Sequence, residues 1–150
     1  MHMIVERHLS KTRLDGAAIR LPDDSPLVAL TLRYDRLDHF GFTLFHELAH
    51  VALHLDQTDI DVFFEDLTDA GKSRYEREAD DFATDGLIAE ATWRSAKLSI
   101  ASSPQEIVAF ADKLRISPAI PAGRLRFESK DYTTFSSLVG NGKVRSMFNE

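Results

Sequence analysis

Residues 42–55 read FTLFHELAHVALHL, and how they fold decides the architecture around them. Phe42, Phe45, Leu48, Ala49, Ala52 and Leu53 recur at intervals of three and four, which is helical spacing. A helix is therefore expected over residues 38–54, with Asp38 at its N-cap. It is apolar around most of its circumference, so it belongs inside the domain rather than on its surface. Into this run the sequence sets His46, Glu47, His50 and His54.

Positions i and i+4 of a helix lie on one face, a turn apart. His46 and His50 therefore point the same way, and two imidazoles so placed can reach one Zn²⁺ at roughly 2.0–2.1 Å each. Glu47 lies beside that point, too displaced to ligate, and can accept a proton from a water activated by the ion. This is the H-E-x-x-H arrangement of zinc peptidases. Chance yields the motif in about one of 70 chains of this composition, so its place inside a strong helical pattern matters as much as the motif. The plainer alternative is a set of His and Glu side chains satisfied by protein neighbours. It leaves a buried carboxylate between two buried imidazoles in need of a partner, which a metal supplies.

A catalytic zinc takes three protein ligands and leaves one position open. His54 sits eight residues beyond His46, about 12 Å along the axis, and cannot share the ion unless the helix breaks. It reads either as a residue lining the cleft behind the ligands or as an ordinary helix-end histidine. No histidine follows it, and His2, His8 and His39 come earlier. The third ligand is thus expected among the acids of the next helix, Glu76, Glu78, Asp80, Asp81 and Asp85. Glu76 and Glu78 flank opposite sides of the stripe Tyr75, Ala79, Phe82 and Gly86, and periodicity leaves the choice open.

Before the central helix, residues 16–34 look like a β-hairpin. AAIRL and LVALTLRY flank the turn-forming PDDSP, and Val28, Leu30 and Leu32 alternate with Ala29, Thr31 and Arg33. After it, residues 56–71 form an acidic loop around a short apolar piece at 62–64. Helices are expected over 73–88 and 91–98. Another begins at Ser103, with Pro104 at N1 and Glu106 closing a capping box. In SPAIPAGRLRFE, Pro121 is tolerable in a first turn or at a kink. The tail turns around Gly140, Asn141 and Gly142. A hairpin followed by helices makes an α+β domain, mostly helical with a small antiparallel sheet, and residues 1–150 read as a single domain.

Bulk properties narrow the function. Apolar residues make up 43% and charged residues 28%, a globular balance. The net charge of −6 and dispersed basic residues argue against direct nucleic-acid binding. Arg115, Arg124, Arg126, Lys130, Lys143 and Arg145 read as a solvated surface. No apolar run approaches the ~20 residues that span a bilayer, and no signal-like segment opens the chain, so a cytoplasmic protein away from membranes is expected. Without cysteine there is no thiolate site.

FTLFHELAHVALH followed by READDFATDGLI resembles the ImmA/IrrE family of zinc metallopeptidases, whose signature is H-E-L-x-H and then E-A-[DN]-x-F-A on a later helix. KTRLDGAAIRL, LTLRYDRLDHF, ISPAIPAGRLRFE and LVGNGKVRSMF extend the likeness over nearly the whole chain, toward a subgroup found behind helix-turn-helix, antitoxin-like regulators. The resemblance implies that Glu78, 28 positions after His50, is the third ligand with His46 and His50, and that Glu47 is the general base. It implies Zn²⁺ ahead of Mn²⁺ or Fe²⁺. Its implied activity is hydrolysis of a peptide bond in a specific cytoplasmic protein partner, a DNA-binding repressor or antitoxin. The alternative is a metal-binding regulatory or sensor domain with little or no proteolysis. No helix-turn-helix pattern precedes the hairpin, so the chain is expected to act alone, to be one piece of a longer architecture, or to draw its DNA-binding part from a separate chain.

Overall fold

In the computed structural model, which describes residues 1–8, 10–57, 59–64 and 73–148, the expected hairpin is the middle of a four-stranded sheet. Its strands are β1 (His2–Glu6), β2 (Gly16–Arg20), β3 (Pro26–Thr31) and β4 (Val62–Phe64), in the order β1-β3-β2-β4. β2 and β3 pair antiparallel with Ala17 opposite Ala29 and Ala18 opposite Val28. The turn between them is held by Asp23, whose carboxylate accepts from Ser25 N at 3.1 Å and Ser25 Oγ at 2.7 Å. Asp24 adopts φ 63°, a left-handed conformation that Asp tolerates. The alternation read in the second arm holds, with Val28, Leu30 and Leu32 all buried.

The sheet differs from the expected antiparallel one at an edge. β1 pairs parallel to β3, so the sheet is mixed. A parallel neighbour requires a crossover rather than a tight turn, and no turn signal announces one.

The chain divides into two compact units. The first comprises Met1–Tyr34 and Phe42–Gly86. Its apolar core joins Ala18 of β2, Leu55 and Phe63, with Val51 and Tyr75 packed against them. The central helix, α1, runs Leu37–Ala49 and then widens into a π-helical segment, His50–Leu55, rather than staying α-helical to residue 54. Asp38 lies in the first turn instead of at the cap, where its charge still suits the helix dipole; its carboxylate is engaged by Arg36. The next helix, α2, spans Arg74–Leu87. The acidic segment at 65–72 lies outside the described residues.

The second unit comprises Asp35–Gly41 and Leu87–Glu150. It is built from α3 (Glu90–Ala96), α4 (Pro104–Leu114), α5 (Ala119–Ser129) and α6 (Lys143–Met147). Ile88, Trp93, Ile107, Ala122, Leu125 and Val139 form its core. α4 begins as its sequence requires, with a complete capping box between Ser103 and Glu106 and Pro104 at its start. Pro121 falls in the first turn of α5, where no hydrogen bond is lost. Arg124, read from the sequence as solvated, donates to Ile88 O at 3.0 Å and Glu128 at 2.8 Å, binds Glu90, and lies over the Trp93 ring. Arg126 is buried and donates to Tyr132 O. Among the described residues no helix is long and apolar enough to cross a membrane.

The short α6 has no cap of its own in sequence. Gly140 and Gly142 reach it through left-handed turns (φ 71° and 74°), and its first amides are satisfied from far away. Asp35 Oδ1 accepts from Val144 N at 2.9 Å and Arg145 N at 3.0 Å. Losing such a cap costs about 1–2 kcal/mol. Asp35→Ala is therefore expected to lower unfolding free energy by about that amount in urea titration, with amide exchange at residues 144 and 145 accelerated first.

Candidate metal centre

α1 and the π-helical turn that continues it bring His46, Glu47 and His50 into the interior of the first unit, where they are 4%, 1% and 1% exposed. The two ligand-type imidazoles face one another, Nε2 to Nε2, at 3.1 Å. α2 supplies the third group. Glu76 Oε2 lies 3.2 Å from His46 Nε2, and Glu76 Oε1 lies 3.3 Å from His50 Nε2. Ligand atoms 2.0–2.1 Å from a tetrahedral ion stand roughly 3.3–3.4 Å apart, so these separations are close to the edges of such a site. Glu76 Oε2 is buried and makes no hydrogen bond, as suits an oxygen whose partner is a cation. His46, His50 and Glu76 form the one metal-type cluster among the described residues, with one donor atom from each within 4.8 Å of the others.

Glu78, assigned to the ion by the resemblance, is not brought to the two imidazoles. Its Oε2 meets His54 Nε2 at 3.1 Å, and its Oε1 accepts from Arg74 at 2.6 Å. Helical geometry gives the reason. The buried face of α2 is marked by Ala79 and Ala83. Glu76 and Asp80 share that face at i, i+3, i+4 and i+7, whereas Glu78 shares its face with Arg74 and the partly exposed Phe82. The stripe drawn through Phe82 from sequence is thus rotated away from the true one. Small residues let the helices approach: a Cβ on Gly86 would stand 2.9 Å from Phe45 of α1.

Each imidazole has a support behind it. His46 Nδ1 is 3.0 Å from Asp80 Oδ1, and His50 Nδ1 is 2.9 Å from His54 Nδ1. Such outer hydrogen bonds fix ring orientation and leave Nε2 for the metal. The His50 ring also stacks on Phe63 at 4.8 Å, and His54 meets Tyr75 edge-on. His54 is buried at 3% exposure, so it stands behind the ligands rather than at a free helix end. Asp80 entered the sequence reading only as one possible ligand; its four-residue step from Glu76 is the signal that pairs them.

The field of the site is that of a cation receptor. Burial opposes a charge on His46, but Asp80, Glu76 and Glu47 together outweigh it and raise the imidazole to about 10. Burial likewise pushes Glu76 up, yet His46 and His50 bring it down to about 2. The carboxylates thus gather positive charge at the point where the three donor groups converge.

Glu47 occupies a cradle made by a missing side chain. A Cβ on Gly16 of β2 would stand 2.6 Å from Glu47 Oε1, 2.7 Å from its Cγ and 2.9 Å from Thr43 Cγ2. Glycine is needed here for clearance, since its backbone does not require positive φ.

The family model Peptidase_M78, the IrrE N-terminal-like domain, matches residues 3–125, a stretch that holds every residue of this centre. No curated protein matches the chain.

Two outcomes follow from this geometry. Gly16→Ala is expected to destabilise the metal-free protein by about 1–3 kcal/mol in urea. Its cost should shrink in a Glu47→Ala background, a coupling of about 0.5–3 kcal/mol; additive costs would mean the two residues do not meet. Second, the neighbouring carboxylates keep His46 protonated through the neutral range, and an ion must displace that proton. Zn²⁺ binding is therefore expected to release about one proton and to tighten from about pH 6 to about pH 9, read by calorimetry in buffers of different ionisation heat.

Proposed function

The chain belongs to the IrrE N-terminal-like peptidase family, and on that premise we propose that it is a zinc-dependent endopeptidase cutting one bond in a specific regulator, a repressor or antitoxin-type protein. The observation that carries this reading is the convergence of His46 Nε2, His50 Nε2 and the Glu76 carboxylate beside Glu47. Two imidazoles and one carboxylate are the ligand set of hydrolytic zinc, and a site that keeps an acid next to that set is equipped for more than holding an ion. The regulator as substrate is supported by the likeness to domains found behind helix-turn-helix regulators.

When bound, the ion supplies Lewis acidity at the convergence point, acidifying a water and polarising a scissile carbonyl. His46, His50 and Glu76 would hold it. Asp80 keeps the His46 ring turned toward that point by accepting from Nδ1. Glu47 follows His46 on the same helix, close enough that its charge helps retain the His46 proton. Its carboxylate takes the proton of the attacking water and returns it to the leaving amine. The packing of Glu47 against Gly16 limits the positions that carboxylate can adopt.

The competing regulatory reading, a metal sensor with no proteolysis, differs in what it asks of Glu47. Glu47→Gln keeps the shape and the three ligands but removes the base. Zinc-loaded wild type and Glu47→Gln should therefore carry equal zinc, while cleavage of a co-purified repressor falls about 10²–10⁴-fold in the variant, followed by mass spectrometry. Equal zinc with an intact repressor in both would leave the sensor as the better reading.

A further inference from the structure

The support behind His50 continues past its first partner to the surface. His50 Nδ1 lies 2.9 Å from His54 Nδ1, and His54 Nε2 lies 3.1 Å from Glu78 Oε2. Glu78 Oε1 then accepts from Arg74 Nε at 2.6 Å. Two rings of this chain are buried, while the Glu78 and Arg74 side chains are 38% and 80% exposed.

With both imidazoles neutral, the donor and acceptor roles along it take one order. A guanidinium only donates and an ionised carboxylate only accepts. Glu78, held by Arg74, accepts at Oε2, so His54 Nε2 must carry the proton. A neutral imidazole has one proton, which leaves His54 Nδ1 an acceptor. The two facing Nδ1 atoms share a single proton, and His50 supplies it. His50 Nε2 is then bare, and it faces His46 Nε2 and Glu76 Oε1. A bare imidazole nitrogen is what a divalent cation needs.

We propose that His54, Glu78 and Arg74 form a positioning chain that sets the His50 tautomer from the protein surface and presents a bare Nε2 before any ion arrives. The π-helical turn is part of the device. Across that turn the His54 ring lies 5.0 Å from the His50 ring. Phe63, stacked 15° from parallel on His50, and Tyr75, edge-on to His54, hold the two ring planes. Glu78 thus serves the centre without touching its ion. The proposal rests on the reading that His46, His50 and Glu76 hold a metal.

The test reads tautomers directly. In metal-free protein labelled with ¹⁵N-histidine, long-range ¹H–¹⁵N spectra should show His50 protonated at Nδ1 and His54 at Nε2. Glu78→Gln keeps an acceptor oxygen and should preserve both, with Zn²⁺ affinity near that of the wild type in chelator competition. Glu78→Leu removes the acceptor; His50 should then populate both tautomers, and Zn²⁺ affinity should fall about 10–100-fold. His54→Phe should behave like Glu78→Leu, and the exposed position of Glu78 keeps the test usable if the buried variant fails to fold. His50 protonated at Nε2 in the wild type, or Glu78→Leu leaving tautomers and affinity unchanged, overturns the proposal. A wild type with the expected tautomers that binds no Zn²⁺ supports the chain as drawn and overturns the metal reading instead.

Discussion

Three donor groups meet at one point inside the first unit, and most of its unusual residues follow from that convergence. His46, His50 and Glu76 bring nitrogen and oxygen atoms to within 3.1–3.3 Å of one another in the protein interior. Polar groups so placed are costly unless matched, and ionised ones more so. A divalent cation matches all three at once. The carboxylates of Asp80, Glu76 and Glu47 favour a proton on His46 against the effect of burial. The same field that holds the proton suits the ion.

That convergence requires close approach of three elements, and the chain achieves it by leaving side chains out. Gly16 clears space on β2 for Glu47, Gly86 clears space on α2 for Phe45, and Ala79 and Ala83 line the buried face of α2. Larger residues at these points would add apolar area, at about 25 cal/mol per Å², and would push the carboxylates away from the imidazoles. Apolar burial is found elsewhere in the first unit, around Ala18, Leu55 and Phe63, and in the second unit around Ile107, Leu125 and Val139. The supports behind the ligands are unequal: His46 leans on a single carboxylate, while His50 leans on a histidine that itself needs a partner.

Much of this was legible in the sequence. The three-and-four spacing around HELAH made α1 an interior helix, and the i, i+4 relation aimed His46 and His50 at one point. The Val28, Leu30, Leu32 alternation and the Ser103, Pro104, Glu106 start of α4 likewise formed as read, because each depends on neighbours within a few residues. β1 was not legible, since its partner strand is about 25 positions away. Asp35 was not legible as a cap, since the amides it satisfies lie 109 and 110 positions on.

The sequence by itself determined that a buried helix carries two imidazoles one turn apart with a carboxylate beside them, because helical periodicity is a local property of the chain. Only the tertiary structure decided which acid stands beside that pair. Glu76 and Glu78 are two residues apart and about 200° apart around α2, so the choice depends on how that helix is rotated against α1. Ala79 and Ala83 set the rotation by packing, placing Glu76 and Asp80 inward and Glu78 against His54. A motif match in one dimension cannot register that rotation, because it is fixed by contacts between segments far apart in the chain.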